Sequence, residues 1–192
     1  MEAFITRYLA ELQIVNARTT SNQGVRHEPP ARRAWLAPST GNAKLNVDAT
    51  ISRNCFGAVV VMCRDDIGRF MGAAMLSFNH IDDPATLEAL AIREALALAE
   101  DLYLRKIEVA SDCKVVVQDL KMDNSASYGA VVHEIIDHSS LFDFCFFSHE
   151  SRSSNYEAHN LAKHALSLGA GRHVWLGHPG NLPSVPVNIV TN

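Results

Sequence analysis

Lys44-Leu45-Asn46-Val47-Asp48-Ala49 is the stretch on which the fold turns. It reads as a short strand over residues 44–50 that carries a carboxylate, Asp48. Two further acids hold comparable places downstream. Glu88 lies early in a helix that reads Leu87-Glu88-Ala89-Leu90-Ala91-Ile92-Arg93-Glu94-Ala95-Leu96, and Asp112 ends a second strand, Ile107-Glu108-Val109-Ala110-Ser111-Asp112. Taken singly, each acid is an ordinary turn or cap residue. Together, carboxylates at strand ends and helix starts can converge on a divalent cation. Hard ions such as Mg²⁺ take oxygen ligands and bind through few carboxylates plus substrate phosphates.

The elements around these acids follow from periodicity and turn chemistry. Phe56 to Arg64 is an apolar, valine-rich run that fits a buried strand; Asp65-Asp66-Ile67-Gly68 supplies a turn, and Arg69 to Phe78 a returning strand. The helix that follows has Asp83 as N-cap and Pro84 at its first position, where a missing N–H costs nothing. Leu87, Leu90, Ala91, Leu98 and Leu102 form its apolar stripe, with Glu88 at the border. Near the helix start a negative charge gains roughly 0.3–1 kcal/mol from the dipole. Glu94 reads as a solvent-facing partner of Arg93 or Lys106. A strand at 106–111 and a helix at 113–122 follow, and the strand–helix–strand order implies a parallel pairing.

Tyr128 to Ser140 reads as helix, and Leu141 to His149 as the last strand. Ser154-Asn155-Tyr156-Glu157 has the form of a capping box opening the final helix. Ala158, Leu161, Ala162, Ala165 and Leu168 give that helix its buried face, and Gly169 stops it.

The ordered set Asn46-Val47-Asp48-Ala49, Leu87-Glu88-Ala89-Leu90 and Ser111-Asp112 resembles the type-1 ribonuclease H family. More narrowly, it is similar to the reverse-transcriptase-like, RNase H-type domains of plants that are related to retrotransposons. Asn155-Tyr156-Glu157-Ala158-His159-Asn160-Leu161-Ala162-Lys163 resembles that subfamily's last helix, so the likeness spans roughly residues 44–168. It implies an α/β, RNase H-like fold: a mixed five-stranded sheet, antiparallel over its first three strands, with two further strands and helices. It also implies a metal-dependent endonuclease that hydrolyses the RNA strand of RNA–DNA hybrids with two Mg²⁺ ions, Mn²⁺ being possible. By position, Asp48 would bridge both metals, with Glu88 and Asp112 completing the coordination. Where many members carry a fourth carboxylate, this chain has His159, a fourth catalytic position that could ligate a softer metal, move product or weaken the second metal site. Imidazole tilts preference toward Mn²⁺.

Around this set, Asn155 would bind nearby backbone or phosphate oxygens, Lys114, Arg152 and Lys163 could meet phosphates, and His149 would help product leave. In a two-metal mechanism, ions about 3.5–4 Å apart activate water and stabilise the leaving oxygen. A 3′–5′ exonuclease on the same fold class would need a second acid two residues after Asp48, where Thr50 stands.

Composition bounds the rest. The chain has 192 residues, 47% of them hydrophobic, which suits one domain of roughly 130 residues with flanking segments. Residues 1–43 read as an N-terminal helix, to about residue 18, followed by a linker made locally basic by Arg26, Arg32 and Arg33; residues 44–170 form the domain and 171–192 a tail without clear elements. Cys55, Cys63, Cys113 and Cys145 have no CxxC spacing and read as reduced thiols. No secretory signal or membrane span is legible, so an intracellular monomer of cytoplasm or nucleus is expected. The formal net charge of −4 argues against tight autonomous nucleic-acid binding, less so for an enzyme whose bound metals reverse the local sign. A second reading therefore stands beside the nuclease: a catalytically silent, domesticated domain that binds nucleic acid or a protein partner.

Overall fold

Three strands in succession begin the sheet: β1 (Ala43–Ile51), β2 (Phe56–Arg64) and β3 (Phe70–Asn79), each antiparallel to the one before. The computed structural model describes residues 35–52, 56–81, 83–122, 127–166 and 171–176. The expected N-terminal helix, most of the linker, Leu168 and the Gly169 stop lie outside these. The β2–β3 turn uses the chemistry read from its sequence. Asp65 Oδ1 accepts from the backbone N–H groups of Ile67 and Arg69, and Gly68 takes φ +79°, which only glycine adopts without strain.

Helix α1 (Pro84–Asp101) starts as expected, with the Asp83 carboxylate accepting from the Thr86 N–H. It leads to β4 (Lys106–Ser111), which pairs in parallel with β1. Helices α2 (Lys114–Met122) and α3 (Gly129–Ser139) then lead to β5 (Phe144–His149), parallel to β4. Helix α4 is Tyr156–Ala165.

Strand β2 is buried on both faces, because Val59, Val61 and Cys63 pack toward α1 while Ala58, Val60 and Met62 pack toward α4. The larger core thus lies beneath α1, α2 and α3, and a smaller one beneath α4. This is why the valine-rich run has no alternation: a central strand covered on both faces reads as continuously apolar.

The sheet has six strands rather than five, in the order β5-β4-β1-β2-β3-β6. The sixth, β6 (Arg172–Leu176), lies in the stretch read as having no clear element and pairs antiparallel with β3. Its five residues are too short for a persuasive pattern, yet they alternate as an edge strand should. Val174 packs toward the larger core and Trp175 toward the smaller. A side chain at Gly72 would come within 2.9 Å of the Trp175 carbonyl oxygen, so glycine lets β6 close on β3.

Arg172 anchors the strand to α1 through Glu94 (2.7 Å) and Asp101 (2.6 Å). Glu94 is therefore buried and paired across the fold, not solvent-facing as expected, and Arg93 meets Glu134 instead. A partner 78 residues away could not be read from helix spacing.

Candidate metal centre

Asp48 stands near the end of β1, Glu88 is the fifth residue of α1, and Asp112 follows the last residue of β4. The parallel pairing of β1 with β4 aligns the two strand ends, Val47 lying opposite Ser111. Helix α1 packs on β1 and carries Glu88 down to them. One carboxylate oxygen from each of the three falls within 4.8 Å of the others.

The electrostatics of this cluster are unfavourable in isolation. Burial, then the charges of Asp48 and Asp112, push the Glu88 carboxyl up to about 8, against a weaker opposing bond from Ser111 Oγ at 3.2 Å. Burial and the charge of Asp112 likewise hold Asp48 above the usual carboxylate range, opposed by its hydrogen bond to His159. Like charges this close disfavour one another's ionised form. A divalent cation removes that conflict, and an all-oxygen donor set suits a hard ion. The residues present therefore fit such a metal.

Two basic groups border the acids. His159 Nδ1, from the first turn of α4, is 2.9 Å from Asp48 Oδ2. Arg152 Nε, in the β5–α4 loop, is 3.4 Å from Asp112 Oδ2, with the side chain 69% exposed. Beside the cluster opens a cleft of about 560 Å³, lined among others by Glu88, Asp112, Cys113, His149 and Arg152.

The profile of the reverse transcriptase-like family matches residues 46–165, more than half of the chain, and these residues include all three acids and His159. This chain belongs to the reverse transcriptase-like family. No curated protein is matched by the sequence. Among solved structures, RNase H1 of the halophilic archaeon Halobacterium salinarum NRC-1 is similar at 21% identity, covering 66% of this chain and 98% of its own, with a TM-score of 0.58. The N-terminal RNase H domain of a Mycobacterium tuberculosis protein, solved as a fusion with maltose-binding protein, is 15% identical over 66% and 94% of the two chains, with a TM-score of 0.60. LC11-RNase H1, solved in complex with an RNA/DNA hybrid, is 16% identical over 66% and 97%, with a TM-score of 0.58. At these identities the likeness is one of fold, and the fold is RNase H-like.

Other residues singled out from the sequence sit differently in this reverse transcriptase-like domain. Lys114 and Lys163 are exposed, on α2 and α4. Asn155 is 1% exposed. Its amide donates to the Val47 carbonyl at 2.7 Å and accepts from Asn46 at 3.0 Å.

Ser154-Asn155-Tyr156-Glu157 does not work as a capping box either. The Glu157 carboxylate makes a two-pronged contact with buried Arg64, at 2.8 and 2.9 Å. Ser154 Oγ lies 3.1 Å from Ser151 Oγ. A buried guanidinium on β2 outcompetes a local backbone N–H for that acid.

Sequence reasoning missed Trp35 altogether. In the stretch read as linker, it is 2% exposed, and its indole N–H donates to Asn46 Oδ1 at 2.8 Å. Lys44 is also buried, bonded to the Leu36 carbonyl and to Glu150. One signal was available: Lys44, Asn46 and Asp48 are three polar residues at successive inward positions of a central strand.

Among the described residues no helix is long and apolar enough to cross a membrane.

Proposed function

We propose that the chain is a metal-dependent endonuclease that hydrolyses the RNA strand of RNA–DNA hybrids, with two Mg²⁺ or Mn²⁺ ions. The observation that carries this reading is the meeting of Asp48, Glu88 and Asp112, 64 residues apart from first to last, with ligand oxygens within 4.8 Å. The RNase H-like fold supports it, as does the hybrid complex of the similarly folded LC11 enzyme.

Bound divalent cations would supply an activated water and charge stabilisation for the leaving 3′-oxygen. The chain's own residues do the rest. Asp48, Glu88 and Asp112 would hold the cations at the ends of β1 and β4. Ser111 Oγ donates to Glu88 Oε2 and fixes which oxygen faces the cluster. With Asp48 ionised, His159 donates from Nδ1 and holds that carboxylate in one orientation. Arg152, largely exposed beside Asp112, brings a positive charge to the side from which a phosphate would approach.

A second reading rests on the same histidine. His159 occupies one oxygen of Asp48 and supplies no carboxylate, which favours a weak or silent site that binds nucleic acid or a protein without turnover.

Cleavage of a labelled RNA–DNA hybrid, beside single-stranded RNA and duplex DNA, separates the two. The nuclease reading expects hybrid-selective cleavage with Mg²⁺ or Mn²⁺ that disappears in Asp48→Asn, a variant that keeps shape and removes charge. Undiminished cleavage in that variant assigns the activity elsewhere. No cleavage with either ion leaves the binding reading.

A further inference from the structure

A chain of buried hydrogen bonds joins the segment before β1 to the carboxylate cluster. Trp35 Nε1 donates to Asn46 Oδ1 (2.8 Å), Asn46 Nδ2 donates to Asn155 Oδ1 (3.0 Å), and Asn155 Nδ2 donates to the carbonyl of Val47 (2.7 Å), the residue before Asp48. Both asparagines are buried. Their amide orientations are not free to flip. An indole N–H can only donate and a carbonyl can only accept, so the two ends fix the direction of every bond between them.

The chain reaches the site by two routes. Through Val47 it holds the backbone that carries Asp48. Through Asn155, whose own carbonyl accepts from the His159 N–H at 3.1 Å, it sets the first turn of α4. His159 then reaches Asp48 from that turn.

Leu36 makes a parallel connection. Its carbonyl accepts from Lys44 Nζ, which pairs with buried Glu150, and the Glu150 N–H is bonded to the carbonyl of Ser111 at 2.9 Å, next to Asp112. Two adjacent residues outside the sheet are thus tied to both strand ends that bear acids. A segment needed only to cover the core could do so with apolar contacts. Here an indole donor is matched to an amide that continues to the site.

We infer that Trp35 is a positioning residue: through Asn46 and Asn155 it fixes the backbone and helix that aim Asp48, and so sets the cation affinity of the cluster. This rests on the metal-centre reading above. Groups that orient metal ligands from behind typically contribute about 10–100-fold in affinity. Trp35 acts at greater remove, so the low end of that range, about tenfold, is expected.

The test is calorimetric titration of Mn²⁺ into the full chain without substrate, alongside thermal unfolding in EDTA. Trp35→Phe keeps a packed ring and removes the donor. Asn155→Ala opens the chain at its far end and leaves the Trp35 pocket untouched, so it serves if the first variant does not fold. The expected result is an Mn²⁺ Kd raised about tenfold in Trp35→Phe and raised in Asn155→Ala, with the double variant well short of the product of the two. A lowered melting temperature with unchanged Kd makes Trp35 a packing residue and overturns the inference, as does simple multiplication of the two effects. If the parent chain binds Mn²⁺ and Asp48→Asn does not, while Trp35→Phe binds as the parent does, only the positioning role falls. If the parent chain binds no Mn²⁺, both readings fall.

Discussion

Glutamine in place of Glu88 isolates the electrostatic conflict at the cluster. Burial and the two aspartate charges move this carboxyl from 4.5 up to about 8, so at pH 7 it keeps its proton in the folded chain and has lost it in the unfolded one. The unfolded state therefore binds fewer protons across that window. The Glu88 contribution to cation-free stability is then full below pH 4.5 and falls as pH rises toward 8. At pH 7 the interval above 4.5, at about 1.4 kcal/mol per pH unit, sets an upper bound of about 3 kcal/mol on the penalty. Glutamine keeps the acceptor for Ser111 Oγ and has no proton to hold. The variant should be more stable than the parent by up to ~3 kcal/mol at pH 7, several degrees in melting temperature for a domain of this size. The assay is thermal unfolding in EDTA at pH 5, 6, 7 and 8. The parent's melting temperature should fall through the series. The variant's should fall less steeply, retaining the slope that the raised Asp48 contributes. A parent that is flat from pH 5 to 8, with a variant no more stable, would refute the crowding of charge on which the metal reading depends.

His159→Asp places a carboxylate beside Asp48 and should raise Mg²⁺-dependent hybrid cleavage relative to Mn²⁺-dependent cleavage; an unchanged ratio removes His159 from the metal site. Arg64→Met removes the guanidinium paired with the buried Glu157 carboxylate and should cost about 3–5 kcal/mol in urea unfolding, while Arg64→Met with Glu157→Leu recovers much of it. Equal losses in the single and double variants would mean that the pair acts through packing alone.

The parts of this fold that were legible in the sequence are those specified locally. The β2–β3 turn and the Asp83–Pro84 start of α1 each follow from residues within a few positions of one another, and the parallel pairing follows from the order of strand, helix and strand. What escaped is held by partners distant in sequence. Glu157 looked like a capping acid because Ser154 stands three residues before it; its actual partner is 93 residues away. Glu94 looked exposed because Arg93 adjoins it, and β6 looked shapeless because the arginine that pins it acts across the fold. The acids themselves were found through their order along the chain, and Asn155 was singled out with them, whereas the hydrogen bond that joins Asn155 to Asn46 was not foreseen. A buried amide pair leaves no periodic trace.

The parallel pairing of β1 with β4 also has a kinetic consequence. The β1–β2–β3 meander can form from neighbouring segments across short turns, so Asp48 is expected to be in place early. Its two companion acids arrive only when the α1 crossover has closed, and His159 only when α4 docks across a separation of 111 residues. Long closures are the slow steps of folding. The step that brings the acids together is thus also the one their mutual repulsion opposes. A bound divalent cation would stabilise that late encounter, and in its presence the chain should reach the native state faster as well as hold it more firmly.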